Sequence, residues 1–549
     1  MAKKIHFLII FPLFVFHAFN NYYILSNDNI PVLHDELNYF LESSRYYHIL
    51  RDILHKGDLS RAVSCLKNWN SPYPQLVQLG SVPFYYIFGL SEDISVLSIL
   101  PYLFILFLSV YMIGRKLYSN GVGLFAAFLV SVFPMVFGMS RVYYLEVPVT
   151  AMVSVALLFL IYSDCFLSRR YSILFGVFLA LALLVKWVSS VFIIGPLAYY
   201  TLFAIYSRSR PKELKKRAIT NLFFSLLIAF ALIFPMYTLI VRVFLVKYGS
   251  IFINLSREKT YNFNTYAFAK YIRYLFEYQL LPFFAGLFFI SLPFFYLCVR
   301  KGRLLLTFWI FLPYLFFTAL VVYGYPEDAR FAVPYLPAIA LIISAAIFSI
   351  RYFRLRFSCV VLSLFNMIIA LFGFAQFFEL SYDPGFKSVL SSRVINCLDH
   401  GAGRYRSRLE NWKGKELLAI ILRQKSSLEA AEFRVMSLYN LDVINSPIKR
   451  ELYASYNEWH IEYDALLEES AGGYSCIEEN DFYENKIKTT DMIIIKEGGF
   501  LGISDKRTCA SKVYKSLMGI FEEYRNQFYL LDDLALPDKS HLLVYQKMR

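Results

Sequence analysis

The sequence predicts an α-helical polytopic membrane protein with about 11 transmembrane helices and a C-terminal α/β soluble domain on the outer side. Of its 549 residues, 58% are hydrophobic and only 17% are charged, whereas soluble domains carry about a quarter charged residues. The apolar residues are grouped in runs of about twenty, which are long enough to cross a hydrocarbon layer.

The net charge of +14 comes from residues 1–379, which carry 32 basic and 16 acidic side chains. Residues 380–549 carry 23 basic and 25 acidic side chains. A positive excess in the membrane half is typical of orientation signals. The charge therefore indicates membrane lipids as partners, and no nucleic acid is expected to bind.

Residues 1–379 are predicted to form the transmembrane domain. Lys3 and Lys4 precede its first apolar run, and no small-residue cleavage site follows, so this run is interpreted as an uncleaved anchor. Residues 26–93 then form the first outer loop. The predicted spans lie at about 5–25, 94–114, 121–140, 145–163, 171–185, 188–206, 218–241, 278–299, 304–323, 332–350 and 357–378.

The loop charges predict an orientation. With a cytoplasmic N-terminus, the inner loops hold 18 basic residues and only two acidic ones, Asp164 and Glu213. This bias agrees with the positive-inside rule. An odd number of spans then places residues 380–549 on the outer side, which for a bacterial inner membrane is the periplasm.

Residues 380–549 have the pattern of a small α/β domain. It predicts one helix and four strand segments, at about 414–431 for the helix and 433–439, 492–496, 527–531 and 541–546 for the strands. Three cysteines lie there, Cys397, Cys476 and Cys509, so one disulfide could form with one thiol left over. The domain carries no catalytic motif.

Ionisable residues gather at the predicted outer boundary. Each would cost about 2.5–3.5 kcal/mol at the centre of a membrane helix, so such residues usually have partners or tasks. Asp35 and Glu36 follow the first span, and the others lie at later helix junctions. These others are Arg141, Glu146, Lys186, Glu327, Asp328 and Arg330.

The later residues also have structural explanations. Lys186 could extend along Trp187 to the membrane surface. Arg141 could pair with Glu146 and so tie two helices together.

The acids have similar alternatives. Glu327, Asp328 and Arg330 could form an ordinary solvated turn, and Asp35 and Glu36 could stabilise the N-terminus of an interfacial helix. The convergence of acids and cations on one face favours a functional site over these separate readings.

Glycosyl transfer from a polyprenyl-phosphate sugar fits this set of side chains. Asp35 or Glu36 would take the proton from an acceptor hydroxyl as it attacks the anomeric carbon. Arg141, Lys186 and Arg330 would stabilise the departing lipid phosphate. The isoprenoid chain of the donor would lie against the apolar helices, so the chemistry belongs at the membrane boundary.

Four motifs in residues 1–350 resemble the GT-C glycosyltransferases of family 39, the protein O-mannosyltransferase and aminoarabinose transferase type. They are His34-Asp35-Glu36-Leu37-Asn38-Tyr39, Arg141 with Glu146-Val147-Pro148, the run from Ala180 to Lys186, and Arg330-Phe331 with Pro334 and Pro337.

The resemblance implies roles for several residues. The first-loop acid of the family is the catalytic base, which maps to Asp35 with Glu36 beside it. The basic residue opening the second motif is tied to the donor phosphate, which maps to Arg141. Lys186 and Arg330 match positions of similar character.

The family commonly has Asp where this chain has Glu146, which leaves the substrate-binding role of Glu146 open. The resemblance also implies an inverting transfer with no required cofactor. His34, Asp35 and Glu36 remain a possible site for a divalent metal.

Two other classes compete with a transferase. A transporter or lipid flippase would share the apolar spans, but internal repeats and mid-helix charges are lacking in the sequence. An assembly factor would not need acids and cations at one membrane face. The sugar stays open, and so does the acceptor: lipid A of lipopolysaccharide, another glycan, or a protein hydroxyl.

Overall fold

The computed structural model describes residues 7–26, 35–57, 59–60, 63, 71, 73–206, 210–243, 265–280, 282–322, 328–375, 413–428, 433–438, 461–465, 484, 487–497, 518–536 and 541–548. The chain forms two compact units. The first contains Met1–Ser26 and Tyr46–Arg406, and the second contains Asn27–Arg45 and Ser407–Arg549. The predicted domain boundary at 379/380 lies outside the described residues.

Helices account for the predicted membrane half. In chain order they are α1 (Phe7–Ser26), α2 (Asp35–Lys56), α3 (Leu76–Phe88), α4 (Glu92–Leu97), α5 (Leu100–Leu117), α6 (Asn120–Ser131), α7 (Pro134–Met139), α8 (Glu146–Tyr162), α9 (Arg169–Val185), α10 (Ser189–Tyr206), α11 (Lys212–Val243), α12 (Thr265–Tyr274), α13 (Pro282–Cys298), α14 (Arg303–Val322), α15 (Leu336–Ser349) and α16 (Phe353–Ala375). A π-helical turn, Leu275–Gln279, follows α12, and a 3-10 helix, Ala329–Tyr335, precedes α15.

Each of the eleven predicted spans overlaps a helix of the described chain. Six segments of the described residues are long and apolar enough to cross a membrane by length and composition: Ile9–Ser26, Glu92–Leu117, Ser189–Tyr206, Lys212–Val241, Arg303–Val322 and Ala329–Ser349. Other apolar helices are shorter, α8 and α13 among them. The predicted helical membrane fold is confirmed.

Helices α8 and α15 form the centre of the first unit. Nearly every residue of both helices is buried, and a helix that is apolar all round is stable where neighbours cover every face. By contrast, α11 exposes large apolar side chains such as Phe223, Phe230 and Phe234. Such a surface suits contact with lipid.

The packing brings three chain junctions to one end of the helices. The N-terminus of α8 lies beside the C-terminus of α9, because the two helices are consecutive and pack against each other. The 3-10 helix before α15 also packs against α8. A hydrogen bond of 2.9 Å from Trp309 Nε1 to the Pro334 carbonyl holds the 3-10 helix to α14.

The second unit contains a helix, α17 (Gly414–Leu428), and a five-stranded sheet. Its strands are β1 (Phe433–Leu438), β2 (Ile461–Ala465), β3 (Met492–Glu497), β4 (Phe528–Ala535) and β5 (His541–Lys547). Their order is β2-β1-β3-β5-β4. β1 is parallel to both β2 and β3, whereas β5 is antiparallel to β3 and β4.

Strand β3 is an apolar run because both faces of the sheet are covered. Met492 and Ile494 pack with Leu417 and Ile421 of α17. Ile493 and Ile495 point to the other face and pack with residues that include Phe521. The predicted helix and four strand segments are found within a residue or a few of their predicted bounds, whereas β2 was not predicted.

Candidate active site

A buried ion pair joins two of the converging junctions. Lys186 Nζ donates a hydrogen bond of 3.0 Å to Glu146 Oε1. The two residues are 9% and 3% exposed. Removing two charges from water is costly unless they pair closely, and this pair meets that condition.

Local structure places each partner at a helix end. Helix α9 stops at Val185, and Lys186 has an extended backbone with φ −158° and ψ 128°. The chain turns at once into α10, with the Ser189 amide donating to the Lys186 carbonyl at 3.0 Å. Glu146 opens α8, where a negative charge is favourable beside the free amides of a helix N-terminus.

A second ion pair lies on the 3-10 helix. Asp328 caps this helix, its Oδ1 accepting from the Arg330 amide at 2.9 Å, and its Oδ2 lies 2.7 Å from Arg330 Nε. The guanidinium carbon of Arg330 is 4.6 Å from the ring centre of Tyr144. Partial burial raises the pKa of the Asp328 carboxyl, although the neighbouring Arg330 acts in the opposite direction.

The two pairs belong to one group, here termed the ion cluster: Glu146, Lys186, Asp328 and Arg330. Lys186 Nζ lies 5.2 Å from the ring centre of Phe331, the residue after Arg330. The charge of Glu146 also acts to raise the pKa of Asp328. The cluster therefore places two cations and two carboxylates at the same end of the helices.

Arg141 occupies a separate buried position on the loop before α8. It is fully buried and donates from Nε to Asn21 Oδ1 at 3.3 Å and from its guanidinium to Asn20. Asn21 also donates to the Ser140 carbonyl at 2.9 Å. The guanidinium carbon lies 4.4 Å from the Phe137 ring centre. Helix α1 thus supplies the amides that hold this cation.

Asp35 and Glu36 lie in the first turn of α2, with Glu36 buried and Asp35 half-buried. Both belong to the second unit, whereas Arg141 and the ion cluster belong to the first. The predicted convergence of the acid pair with the cations stays a prediction. His34 and Glu327 lie outside the described residues. Within the described residues, no group of three His, Cys, Asp or Glu side chains could hold a metal.

Two structural alternatives from the sequence are wrong. Lys186 does not extend to the surface beside Trp187; it is buried and paired, while Trp187 is 40% exposed. Glu146 pairs with Lys186 and not with Arg141. The placement of Asp35 and Glu36 at a helix N-terminus agrees with the capping interpretation, which does not exclude a catalytic task.

The sequence reasoning missed the aromatic residues that line these charges. Tyr144 lies under Arg330, and the ring centre of Tyr73 is 5.9 Å from Lys186 Nζ. Tyr73 stands between Pro72 and Pro74, a rigid setting that could have marked its position. Cation–π contacts of this kind follow no local sequence pattern, so the pairing of Tyr73 with Lys186 and of Tyr144 with Arg330 was not predictable.

Comparisons with known proteins identify what this chain is similar to. Residues 10–251 match the family model described as dolichyl-phosphate-mannose-protein mannosyltransferase. No curated protein sequence matches the chain.

Solved structures share the fold. ArnT from Cupriavidus metallidurans matches in the apo state with a TM-score of 0.58 and 13% identity, over 99% of this chain and 98% of that one. ArnT bound to undecaprenyl phosphate matches with 0.58 and 14% over the same shares. The oligosaccharyltransferase of Archaeoglobus fulgidus, tethered with an acceptor peptide, matches with 0.50 and 12%, over 100% of this chain and 74% of that one.

The predicted resemblance to the GT-C glycosyltransferases is therefore confirmed. The chain is an integral membrane protein with a GT-C fold, and its enzyme class is that of a glycosyltransferase, not a transporter.

Proposed function

We propose that this chain is an inverting glycosyltransferase that moves a sugar from a polyprenyl-phosphate donor to a hydroxyl of a lipid, glycan or protein. The observation that supports this proposal most is the ion cluster. Two cations held at buried helix ends match the needs of a lipid-linked phosphate, which must remain at the membrane boundary while its sugar departs.

The phosphate would be bound by Lys186 and Arg330, with Arg141 as a further cation. Arg presents a planar fork that suits phosphate oxygens, whereas Lys acts as a point charge. Glu146 would fix the direction of the Lys186 ammonium through their 3.0 Å hydrogen bond. Charge that grows on the leaving phosphate during transfer is then met by groups already in place.

The transfer itself is a single displacement. The acceptor oxygen forms a bond to the anomeric carbon as the bond from that carbon to the phosphate oxygen breaks, and the configuration inverts. Asp35 takes the acceptor proton, with Glu36 beside it, and the phosphate leaves with the bonding electron pair. A nearby carboxylate also stabilises the oxocarbenium-like sugar.

The relatives support a lipid-phosphate donor. One ArnT structure contains undecaprenyl phosphate, and the family model is named for a dolichyl-phosphate-mannose donor. For this chain we infer a bacterial inner membrane, a cytoplasmic N-terminus and a periplasmic C-terminal domain, on the basis of the loop charges. The acceptor is to be found by mass analysis of glycolipids and glycoproteins from cells with and without the protein.

The test of the mechanism is transfer of radiolabelled sugar from a polyprenyl-phosphate donor by the full-length protein in lipid nanodiscs. The variant Asp35→Asn should lower the rate by about 10²–10⁴-fold, the range for loss of a general base. Glu42→Gln, on the same helix, is the matched control and should stay active. An Asp35→Asn protein with the wild-type rate would remove Asp35 as the base.

A further inference from the structure

Helix α3 and the residue before it carry a buried polar stripe. Gln75, Gln78 and Ser81 are each fully buried. A spacing of three residues places them along one face of the helix. The other buried residues of α3 are apolar, so the stripe is a distinct feature of this helix.

The stripe lies beside the candidate active site. The Ser81 hydroxyl contacts the Tyr143 hydroxyl at 2.7 Å, and Tyr143 precedes the Tyr144 ring that lies under Arg330. At the other end, Gln75 Nε2 donates to the Tyr73 carbonyl at 3.0 Å. Tyr73 in turn faces Lys186. Along the helix, Gln78 therefore lies between Ser81, which contacts Tyr143, and Gln75, which contacts Tyr73.

The side-chain amide of Gln78 is unpaired within the part of the chain that the structure describes. Among the described residues, neither its Oε1 nor its Nε2 has a hydrogen-bond partner, and Gln75 Oε1 has none either. Glu146 Oε2 of the ion cluster is also buried and unpaired within the same described part of the chain, and so is the hydroxyl of Ser189, whose backbone amide donates to the Lys186 carbonyl. A buried polar atom without a partner destabilises a fold, so a group of them is expected to serve a ligand.

We propose that Gln75, Gln78, Ser189 and Glu146 Oε2 form the subsite that binds the hydroxyls of the donor sugar. This proposal rests on the glycosyl transfer proposed above and adds the sugar-recognising residues. An amide offers both a donor and an acceptor, as a hydroxyl does. Two of the recognising groups are neutral amides, and the charge of Glu146 is balanced by Lys186 at 3.0 Å, so the subsite selects a neutral, hydroxyl-rich sugar.

Gln279 supplies a matched contrast. It is also fully buried, but its Nε2 donates to the Ala329 carbonyl at 2.7 Å and its Oε1 accepts from the Tyr335 hydroxyl at 2.6 Å. Replacing a paired amide by Leu leaves its partners unpaired, whereas replacing an unpaired amide by Leu does not. Gln279→Leu should therefore lower the melting temperature, and Gln78→Leu should leave it unchanged or raise it.

The experiment compares bare and sugar-loaded lipid on the full-length protein in nanodiscs. The probes are undecaprenyl phosphate and undecaprenyl phosphate carrying mannose, glucose or 4-amino-4-deoxyarabinose. Wild type should bind a loaded lipid more tightly than the bare lipid, and a neutral sugar best. Gln78→Leu should weaken the preferred loaded lipid about tenfold, the effect of one or two lost hydrogen bonds, without changing bare-lipid affinity.

The outcomes separate the two proposals. A Gln78→Leu protein that loses both affinities equally, or neither, overturns the subsite while the lipid-phosphate site stands. A melting temperature that falls as in Gln279→Leu also overturns it, because the amide would then be paired within the fold. A wild-type protein that binds no undecaprenyl phosphate overturns the proposed function and the subsite with it.

Discussion

In the first unit, the side chains of the Lys186–Glu146 pair are only 11% and 4% exposed, whereas those of the Arg525–Glu522 pair in the second unit are 52% and 54% exposed. The exposed pair is three residues apart on one helical turn, where water screens both charges. The buried pair joins two helices across forty residues of sequence and excludes water. An ion pair of a basic and an acidic side chain is therefore shielded from water in the first unit and screened by water in the second.

This difference in burial indicates that the Lys186–Glu146 pair is more informative about function than the Arg525–Glu522 pair. An exposed pair contributes little and can be replaced without loss. A buried pair is often no more stabilising than well-packed apolar residues, so its presence calls for another reason. Phosphate binding during transfer would supply that reason.

The largest effect is expected from Lys186→Met. It leaves Glu146 buried without its partner, which should lower the free energy of unfolding by about 3–5 kcal/mol. Transfer should fall about 100-fold or more, because a preorganised cation is lost from the leaving phosphate. Thermal unfolding and labelled-sugar transfer measure the two effects.

The double variant Lys186→Met, Glu146→Gln separates the loss of stability from the loss of transfer activity. It should recover much of the stability, because no lone charge remains, but none of the transfer. Recovery of both would mean that the pair is structural only.

A smaller effect is expected from Arg330→Lys, which keeps the charge and loses the planar fork stacked on Tyr144. The ratio kcat/KM should fall about tenfold, equivalent to about 1.4 kcal/mol. Arg330→Met is the comparison variant and should fall further. Equal losses in both variants would show that shape contributes everything and charge nothing.

Asp328→Asn tests the sign of a pKa shift. Burial raises the pKa of Asp328, so its charged form destabilises the folded state and that penalty grows as the pH rises through the raised pKa. At neutral pH the Asn variant should melt at a higher temperature than wild type. The gap should close on acidification, because wild-type Asp328 is then neutral too. A gap that widens at low pH contradicts this assignment.

The smallest effect belongs to the exposed pair. Glu522→Gln should change the free energy of unfolding by less than about 1 kcal/mol, with the difference reduced further in high salt. Transfer activity should be unaffected. A large loss of activity would give the second unit a part in catalysis that its exposed charges do not indicate.

Most of the helical architecture was predictable because hydropathy reports crossing segments directly. Hydropathy did not distinguish α8 from α11, although one is central and the other exposes its side chains. Both helices must be apolar, α8 because it packs against protein and α11 because it faces lipid, so their composition does not show which one is buried. Strand β2 was missed because its sequence, Ile-Glu-Tyr-Asp-Ala, has too few apolar residues to mark an edge strand.

The proximity of three of the predicted site residues could be derived from the sequence, but the pairing of their charges could not. The sequence predicted that Glu146, Lys186 and Arg330 lie near one another, and the structure brings them together; their position at the outer membrane boundary and their role in a site stay predictions. The partner of Glu146 could not be derived, since Arg141 is closer in sequence while Lys186 is closer in space. The link from the acid pair, Asp35 and Glu36, to these cations remains a prediction.

The two asparagines near the end of α1 have a practical consequence. Because Asn20 and Asn21 hold the Arg141 guanidinium, a protein shortened by its first 26 residues would lose both of these hydrogen-bond acceptors. Exchanging this segment for a generic export signal would remove the same amides. Any recombinant form intended for enzymology should therefore retain the native first helix, with tags placed elsewhere.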